Sequence, residues 1–147
     1  MRIVVDSYAW IELFIGGKSG KRAGEHIEMA SEVYTPDTVL AEVARKYLRE
    51  KFSKSVISER LKTISELSRI VTVTPEIALG SAECYLDLLQ KAKKEKLRNP
   101  SLFDAITLAV TKHLKAKVLT GDEHFKNLSE TLWLNSGGDE TEQQARV

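Results

Sequence analysis

Residues 101–122 read SLFDAITLAVTKHLKAKVLTGD and hold the two kinds of element from which the whole chain is built. Phe103, Ile106, Val110 and Leu114 recur at helical spacing, which predicts a helix over 101–115 with one apolar face. A short apolar run at 117–119 follows and ends at a polar turn, which is typical of a buried strand. The segment therefore predicts a helix that leads into a strand, with an acidic residue near the start of the helix and another after the strand.

The same alternation extends over most of the chain. Strands are expected at 2–5, 33–35, 70–73, 117–119 and 131–134, and helices at 7–15, 18–30, 37–51, 54–68, 76–94 and 101–115. Strands that alternate with helices favour an α/β fold with a central parallel β-sheet of four to five short strands flanked by helices. We expect one domain over 1–134, and a disordered tail over 135–147, where the periodicity ends.

Composition excludes several classes of protein. The chain has 147 residues, with 22 Lys+Arg against 21 Asp+Glu and a net charge of +1. A domain of this size can bury a core without disulfides or a structural metal. Its single cysteine, Cys84, cannot form an internal disulfide, and no Cys/His spacing resembles a zinc finger. No signal peptide or membrane span is apparent, so we expect a cytoplasmic location and no membrane partner.

Four acidic residues occupy positions where α/β proteins bind ligands. Asp6 and Asp122 each follow a predicted strand, Asp104 opens a predicted helix, and Glu42 borders the apolar stripe of the helix after Pro36. Ligands bind beyond the carboxyl ends of parallel strands, where such side chains can converge. Clustered carboxylates repel one another unless a cation is present, and oxygen ligands suit Mg²⁺ or Mn²⁺. The pattern predicts a site for one or two such ions.

Each acid also has a purely structural interpretation. Ser101 and Asp104 match a capping box, Asp122 could cap a short helix, and Asp6 could belong to a turn. Glu42 could pair with Lys46 one helical turn later.

Taken together and in this order, the acidic motifs resemble the PIN domain, and most closely its VapC-like branch of small ribonucleases. The resemblance is carried by VVDS at 4–7, VLAEV at 39–43, SLFDAI at 101–106 with Ala109 following, and LTGDEHF at 119–125. It implies an RNA-cleaving metal site made by Asp6, Glu42, Asp104 and Asp122. It also implies that the hydroxyl of Ser7 or Thr120 helps to hold a water or a ligand.

The resemblance further implies RNA as substrate, a small antitoxin as partner and a homodimer, for which the apolar Trp10, Phe14 and Tyr47 could supply an interface. Two basic runs, 45–54 and 91–98, are candidates for holding the RNA backbone although either could be a solvated helix face. The residues assigned to this role are Arg45, Lys46, Arg49, Lys93 and Lys94.

Three alternatives stay open at this point. A PIN domain could process RNA without any antitoxin, or it could bind RNA without cleaving it. A phosphatase of the haloacid-dehalogenase kind also begins with a strand and an Asp, but it usually carries a second Asp two positions later. Here that position is Tyr8.

Overall fold

The computed structural model describes residues 1–135 and confirms the predicted α/β class. Its strands are β1 (Arg2–Val5), β2 (Glu32–Pro36), β3 (Arg69–Val71), β4 (Lys117–Thr120) and β5 (Thr131–Trp133). Its helices are α1 (Ser7–Ile15), α2 (Lys18–Met29), α3 (Asp37–Arg49), α4 (Lys54–Leu67), α5 (Pro75–Glu95) and α6 (Leu102–His113), with a 3₁₀ turn at Glu123–Phe125. All but the first residue of the predicted tail lies outside the described residues.

The five strands form one parallel sheet in the order β3-β2-β1-β4-β5. Strand β1 is central, and its residues Ile3, Val4 and Val5 are all buried. A parallel strand covered by helices on both faces has no solvent side, which explains its unbroken apolar run. The carboxyl ends of β1 and β4 therefore lie side by side at one edge of the sheet.

Two hydrophobic clusters cover the two faces of the sheet. One includes residues of α1, α3 and α4, and the other includes residues of α5 and α6. Trp10 is fully buried in the first cluster and donates from Nε1 to Thr35 Oγ1 at 3.1 Å. Tyr47 is only 4% exposed in the same cluster. The interface suggested for Trp10 and Tyr47 is therefore wrong, because both rings are used inside the protomer.

Strand β3 is shorter than predicted. Its last residue, Val71, is the register partner of Pro36, the last residue of β2. The chain of β2 turns into α3 at the next residue, so positions 72 and 73 have no strand beside them. Val73 instead donates its backbone N–H to Asp37 Oδ2 at 3.4 Å.

The single cysteine, Cys84, is a small core residue buried in the second cluster, and burial raises the pKa of its thiol. Within residues 1–135, no helix combines the length and the apolar character that crossing a membrane requires.

Candidate active site

The pairing of β1 with β4 brings the first two acids together. Val5 and Leu119 are register partners, and Asp6 follows one strand while Asp122 lies just beyond the other. Thr120 connects them, because its hydroxyl hydrogen-bonds the carboxylate of Asp6 while its Oγ1 accepts the backbone N–H of Asp122 at 3.0 Å. Thr120, predicted to support the site, therefore contacts both ends of this pair.

Asp6 is the most buried of the four acids, with only 5% of the residue exposed. It caps α1, and its Oδ1 accepts the backbone N–H of Ala9 at 2.9 Å. Burial raises the pKa of Asp6 to about 8, the hydrogen bonds from Thr120 and Ala9 oppose the rise, and the charges of Asp122 and Glu42 add to it. An ionised Asp6 is thus unfavourable unless a positive charge lies beside it.

Glu42 approaches the same edge from α3. Burial raises its pKa to about 7, the charges of Asp104 and Asp122 contribute, and Arg45 and a hydrogen bond with the Ser7 side chain act in the opposite direction. Ser7 therefore contacts an acid of the cluster, as Thr120 does. Pairing with Lys46 is wrong, since Lys46 bonds Glu50 at 3.3 Å and points its charge one turn further along the helix.

Asp104 enters the site from the first turn of α6. The capping box is present: Ser101 N donates to Asp104 Oδ2 at 2.9 Å, and Asp104 N donates to Ser101 Oγ at 3.1 Å. Burial raises the pKa of Asp104, and the charge of Asp122 raises it further against the hydrogen bonds from Ser101. Asp104 and Asp122 have carboxylate oxygens within 4.8 Å of each other and of a His124 ring nitrogen.

The structural interpretations of Asp104 and Asp122 are correct as well, since Asp104 completes the capping box of α6 and Asp122 caps the 3₁₀ turn by accepting His124 N at 2.8 Å. Asp6 is the N-cap of α1 rather than a turn residue. Each of these caps uses one carboxylate oxygen, while a carboxylate offers two oxygens and about four lone-pair sites. Capping therefore orients these side chains and leaves them able to take another ligand.

His124 is a site residue that was not among those predicted from the sequence. Its Nδ1 lies 2.9 Å from Asp122 Oδ1, and its Nε2 lies 2.8 Å from the carbonyl oxygen of Arg98. Burial works to lower the pKa of His124, but the Arg98 carbonyl and the carboxylates of Asp122 and Asp104 raise it on balance. Both nitrogens face acceptors, so the ring suits the imidazolium form, which donates from both. The only signal in the sequence was its place two residues after Asp122.

The donor set fits a hard divalent cation. Carboxylates from four separate elements could contribute to it: Asp104 and Asp122 have oxygens within 4.8 Å of each other, and a hydroxyl hydrogen-bonds each of the other two acids. Burial and mutual repulsion raise the pKa of three of the four acids, which is the electrostatic state that a bound cation relieves. Both ring nitrogens of His124 already face acceptors. His124 is therefore better placed to orient Asp122 through a hydrogen bond than to bind the cation directly.

The five basic residues predicted to hold RNA are more dispersed than the four acids. Arg45 lies 5.7 Å from the centre of the Phe103 ring and acts on the charge of Glu42, so it is near the cluster. Lys46 is engaged by Glu50. The other three, Arg49, Lys93 and Lys94, are exposed on the last turns of α3 and α5.

Solved structures resemble this fold over most of its length. VapC20 of Mycobacterium tuberculosis, a sarcin–ricin loop cleaving toxin, is 18% identical, with a TM-score of 0.66 over 88% of this chain and 96% of that one. A toxin–antitoxin complex from Klebsiella pneumoniae is 20% identical, with a TM-score of 0.64 over 90% and 97%. VapBC-1 from nontypeable Haemophilus influenzae is 14% identical, with a TM-score of 0.67 over 90% and 96%. At these identities the similarity shows a shared fold.

No curated protein sequence matches the chain at a significant level. A family profile does match, and it is that of the PIN domain over residues 3–130, which includes all four acids, β2 to β4 and all of β1 but its first residue. The match excludes the alternative of a haloacid-dehalogenase phosphatase. This chain belongs to the PIN domain family.

Proposed function

We propose that the protein is a metal-dependent endoribonuclease that hydrolyses RNA phosphodiester bonds and acts as the toxin of a VapBC-type pair. One observation carries the proposal: Asp6, Glu42, Asp104 and Asp122 come from four elements and share one partly desolvated edge of the sheet. Such a cluster is costly in an unliganded protein and is explained by a bound cation. Membership of the PIN domain family supports the nuclease assignment.

The four carboxylates would hold one or two Mg²⁺ or Mn²⁺ ions. A bound ion of this kind supplies a polarised phosphate oxygen and a more acidic water at neutral pH. The chain itself orients the ligands. The Thr120 hydroxyl holds Asp6, the Ser7 side chain holds Glu42, the capping box holds Asp104, and His124 holds Asp122.

Protons are part of this binding. Since burial raises the pKa of Asp6 to about 8 and that of Glu42 to about 7, both carry protons for much of the time near neutral pH when no cation is present. Cation binding must displace those protons, so the affinity for the metal rises with pH over this range.

The toxin role draws its support from the solved structures described above, which include VapC and VapBC proteins and share this fold. It implies a small antitoxin partner that occupies the cleft. We also propose that the protein forms a homodimer and is located in the reducing cytoplasm. A PIN domain that processes RNA without an antitoxin would share the site and the chemistry, so the partner has to be sought directly.

The nuclease proposal is tested by incubating the purified chain with a mixed-sequence single-stranded RNA in Mg²⁺, in Mn²⁺ and in EDTA, beside Asp104→Asn. Asparagine keeps an acceptor for Ser101 N and removes the charge. We expect cleavage that requires metal and is lost in the variant. Metal-independent cleavage, or cleavage that survives in Asp104→Asn, would contradict the proposal. A folded, metal-binding chain that binds RNA without cutting it would favour the non-catalytic alternative.

The partner is tested separately, by co-expressing the chain with the product of any small gene adjacent to its own. A toxin should arrest growth when expressed alone and should be silenced in a purifiable complex with that product. Growth unaffected by an active nuclease would favour the RNA-processing alternative.

A further inference from the structure

A cleft of about 580 Å³ adjoins the acidic cluster on the side of Asp122. We call it the side cleft. The loop 121–124 forms one wall, residues 96–98 between α5 and α6 form another, and the ring of Tyr8 contributes as well. The side cleft therefore begins at an acid of the candidate site and continues away from it.

Two cations line the side cleft, and neither is neutralised. Lys96 and Arg98 have no ion-pair partner anywhere in residues 1–135. Lys91 of the same basic run differs, because Glu95 engages it at 2.5 Å. Asp122 and Glu123 line the other wall of the cleft, so an anionic ligand would be held at the wall that carries Lys96 and Arg98.

The position of Arg98 relative to the acids is set by the backbone. Its carbonyl oxygen lies 2.8 Å from His124 Nε2, and the other nitrogen of that ring lies 2.9 Å from Asp122 Oδ1. Only one imidazole therefore separates the backbone of Arg98 from a carboxylate of the cluster. A ligand that reached both Asp122 and the side chain of Arg98 would span the cluster and the side cleft together.

Tyr8 adds an aromatic surface whose place is determined by Gly121. A Cβ atom at position 121 would overlap Cε1 of the Tyr8 ring and would lie 2.7 Å from its Cζ. The ring thus rests against a stretch of backbone that has no side chain, and it is half-buried. Cations that follow a nucleic-acid backbone, together with an aromatic ring for a base, are the combination that binds single strands.

We propose that the side cleft binds the unpaired nucleotide that flanks the scissile bond, with Lys96 and Arg98 holding its phosphate and Tyr8 contacting its base. The inference rests on the proposed nuclease function. The cations offset the repulsion that the four acids exert on an RNA backbone. A base-paired nucleotide would have to leave its helix before it could enter.

The test measures binding without cleavage, in the Asp104→Asn background, by fluorescence anisotropy of a short labelled single-stranded RNA at several salt concentrations. The test variant is Lys96→Ala with Arg98→Ala. Its matched control is Lys115→Ala with Arg69→Ala. That pair removes the same charge, and Lys115 shares the left-handed backbone of Lys96, with φ of 52° against 58°. Both control residues are exposed and adjoin the amino ends of strands, away from the acids.

We expect the test variant to bind roughly tenfold more weakly, and its slope of log K against log salt to be shallower by about 0.7, the value for one neutralised phosphate on a single strand. The control should keep the affinity and slope of its parent. A duplex of the same sequence should bind more weakly than the single strand. In the parent protein, ultraviolet crosslinking to 4-thiouridine RNA should attach the RNA to the peptide that contains Tyr8.

Equal weakening in the test and control variants would overturn the inference, because it would show an effect of net charge alone. Unchanged RNA binding in the test variant would also overturn it, and would assign these cations to carboxylates of a protein partner. Failure of the parent protein to bind single-stranded RNA would overturn the inference as well. Failure of the nuclease proposal is distinguishable, since it appears as absent metal-dependent cleavage while these binding measurements still give an answer.

Discussion

Ser101 and Asp104 hydrogen-bond each other twice, with Ser101 N donating to Asp104 Oδ2 at 2.9 Å and Asp104 N donating to Ser101 Oγ at 3.1 Å. The same carboxylate that closes this box belongs to the acidic cluster, since its oxygens approach those of Asp122. One side chain thus has a structural and a proposed chemical role, and different substitutions separate the two.

Ser101→Ala should lower the free energy of unfolding by about 1 kcal/mol, because it removes the acceptor for Asp104 N and keeps the acid. Metal-dependent cleavage should be largely retained. Asp104→Asn should leave the free energy of unfolding nearly unchanged without metal and should abolish cleavage. Urea titration in EDTA and cleavage assays in Mg²⁺ measure the two effects. If both variants lost cleavage to the same extent at full folding, the cap itself would be what the activity requires.

Asp6→Asn should stabilise the metal-free protein at and above neutral pH. Burial raises the pKa of Asp6 from 3.8 to about 8, so the folded state retains a proton that the unfolded chain has released. Stability from this group is therefore fully present below about pH 4 and declines as the pH rises toward 8. The variant lacks this titration and should be more stable at pH 8 by about 1–3 kcal/mol.

The measurement is the pH dependence of unfolding in EDTA for both proteins. The parent should have the steeper loss of stability between about pH 5 and 8, and saturating Mg²⁺ should stabilise the parent far more than Asp6→Asn. Parallel pH profiles would show that Asp6 is not the buried titrating group.

His124→Ala should weaken Mn²⁺ binding by roughly tenfold or more, which is typical when the partner of a metal ligand is removed. His124→Asn should keep a contact toward Asp122, and His124→Gln should keep a contact toward the Arg98 carbonyl. Each variant should therefore recover part of the affinity for Mn²⁺. Titration of Mn²⁺ followed by paramagnetic resonance measures this without any substrate. Recovery by glutamine alone would mean that His124 acts by anchoring the loop at Arg98.

Gly121→Ala should destabilise the protein by about 1–3 kcal/mol, the usual effect of overpacking. The added methyl group overlaps the Tyr8 ring, which must move, and Gly121 lies between Thr120 and Asp122. Thermal unfolding measures the loss, and Gly80→Ala is the control, because a Cβ there would meet Ala109 Cβ at an ordinary 3.7 Å. Equal stability of the two variants would show that the loop 121–124 and the Tyr8 ring adjust to the added methyl group without loss of stability.

Several parts of the fold were predictable because they depend on local patterns. The apolar run before Asp6, the box at 101–104 and the strand before Asp122 each have a period or a capping residue that is visible in the chain. The end of β3 was not predictable from its own residues. Val73 is as suitable for a strand as Val71, but β2 has already turned into α3 beside it.

The candidate site divides in the same way. The four acids were identified by their positions after strands and at helix starts, while His124 was passed over. A histidine beside a turn is common, and nothing in the chain indicates that its two nitrogens meet Asp122 and Arg98, which are two residues before it and 26 residues before it. The basic residues were likewise identified as runs, whereas the side cleft selects Lys96 and Arg98 rather than Lys93 and Lys94.

By itself the sequence determined the class of fold, the order of its elements and the residues that cap them, because periodicity and capping act over a few neighbouring positions. Only the tertiary structure decided that Asp6 and Asp122 are adjacent, which depends on β1 pairing with β4 across 111 intervening residues. It also decided how strongly the acids are buried, which Lys and Arg remain unpaired, and where the cleft opens. Burial and long-range electrostatics depend on everything that packs around a group, and no short stretch of chain contains that information.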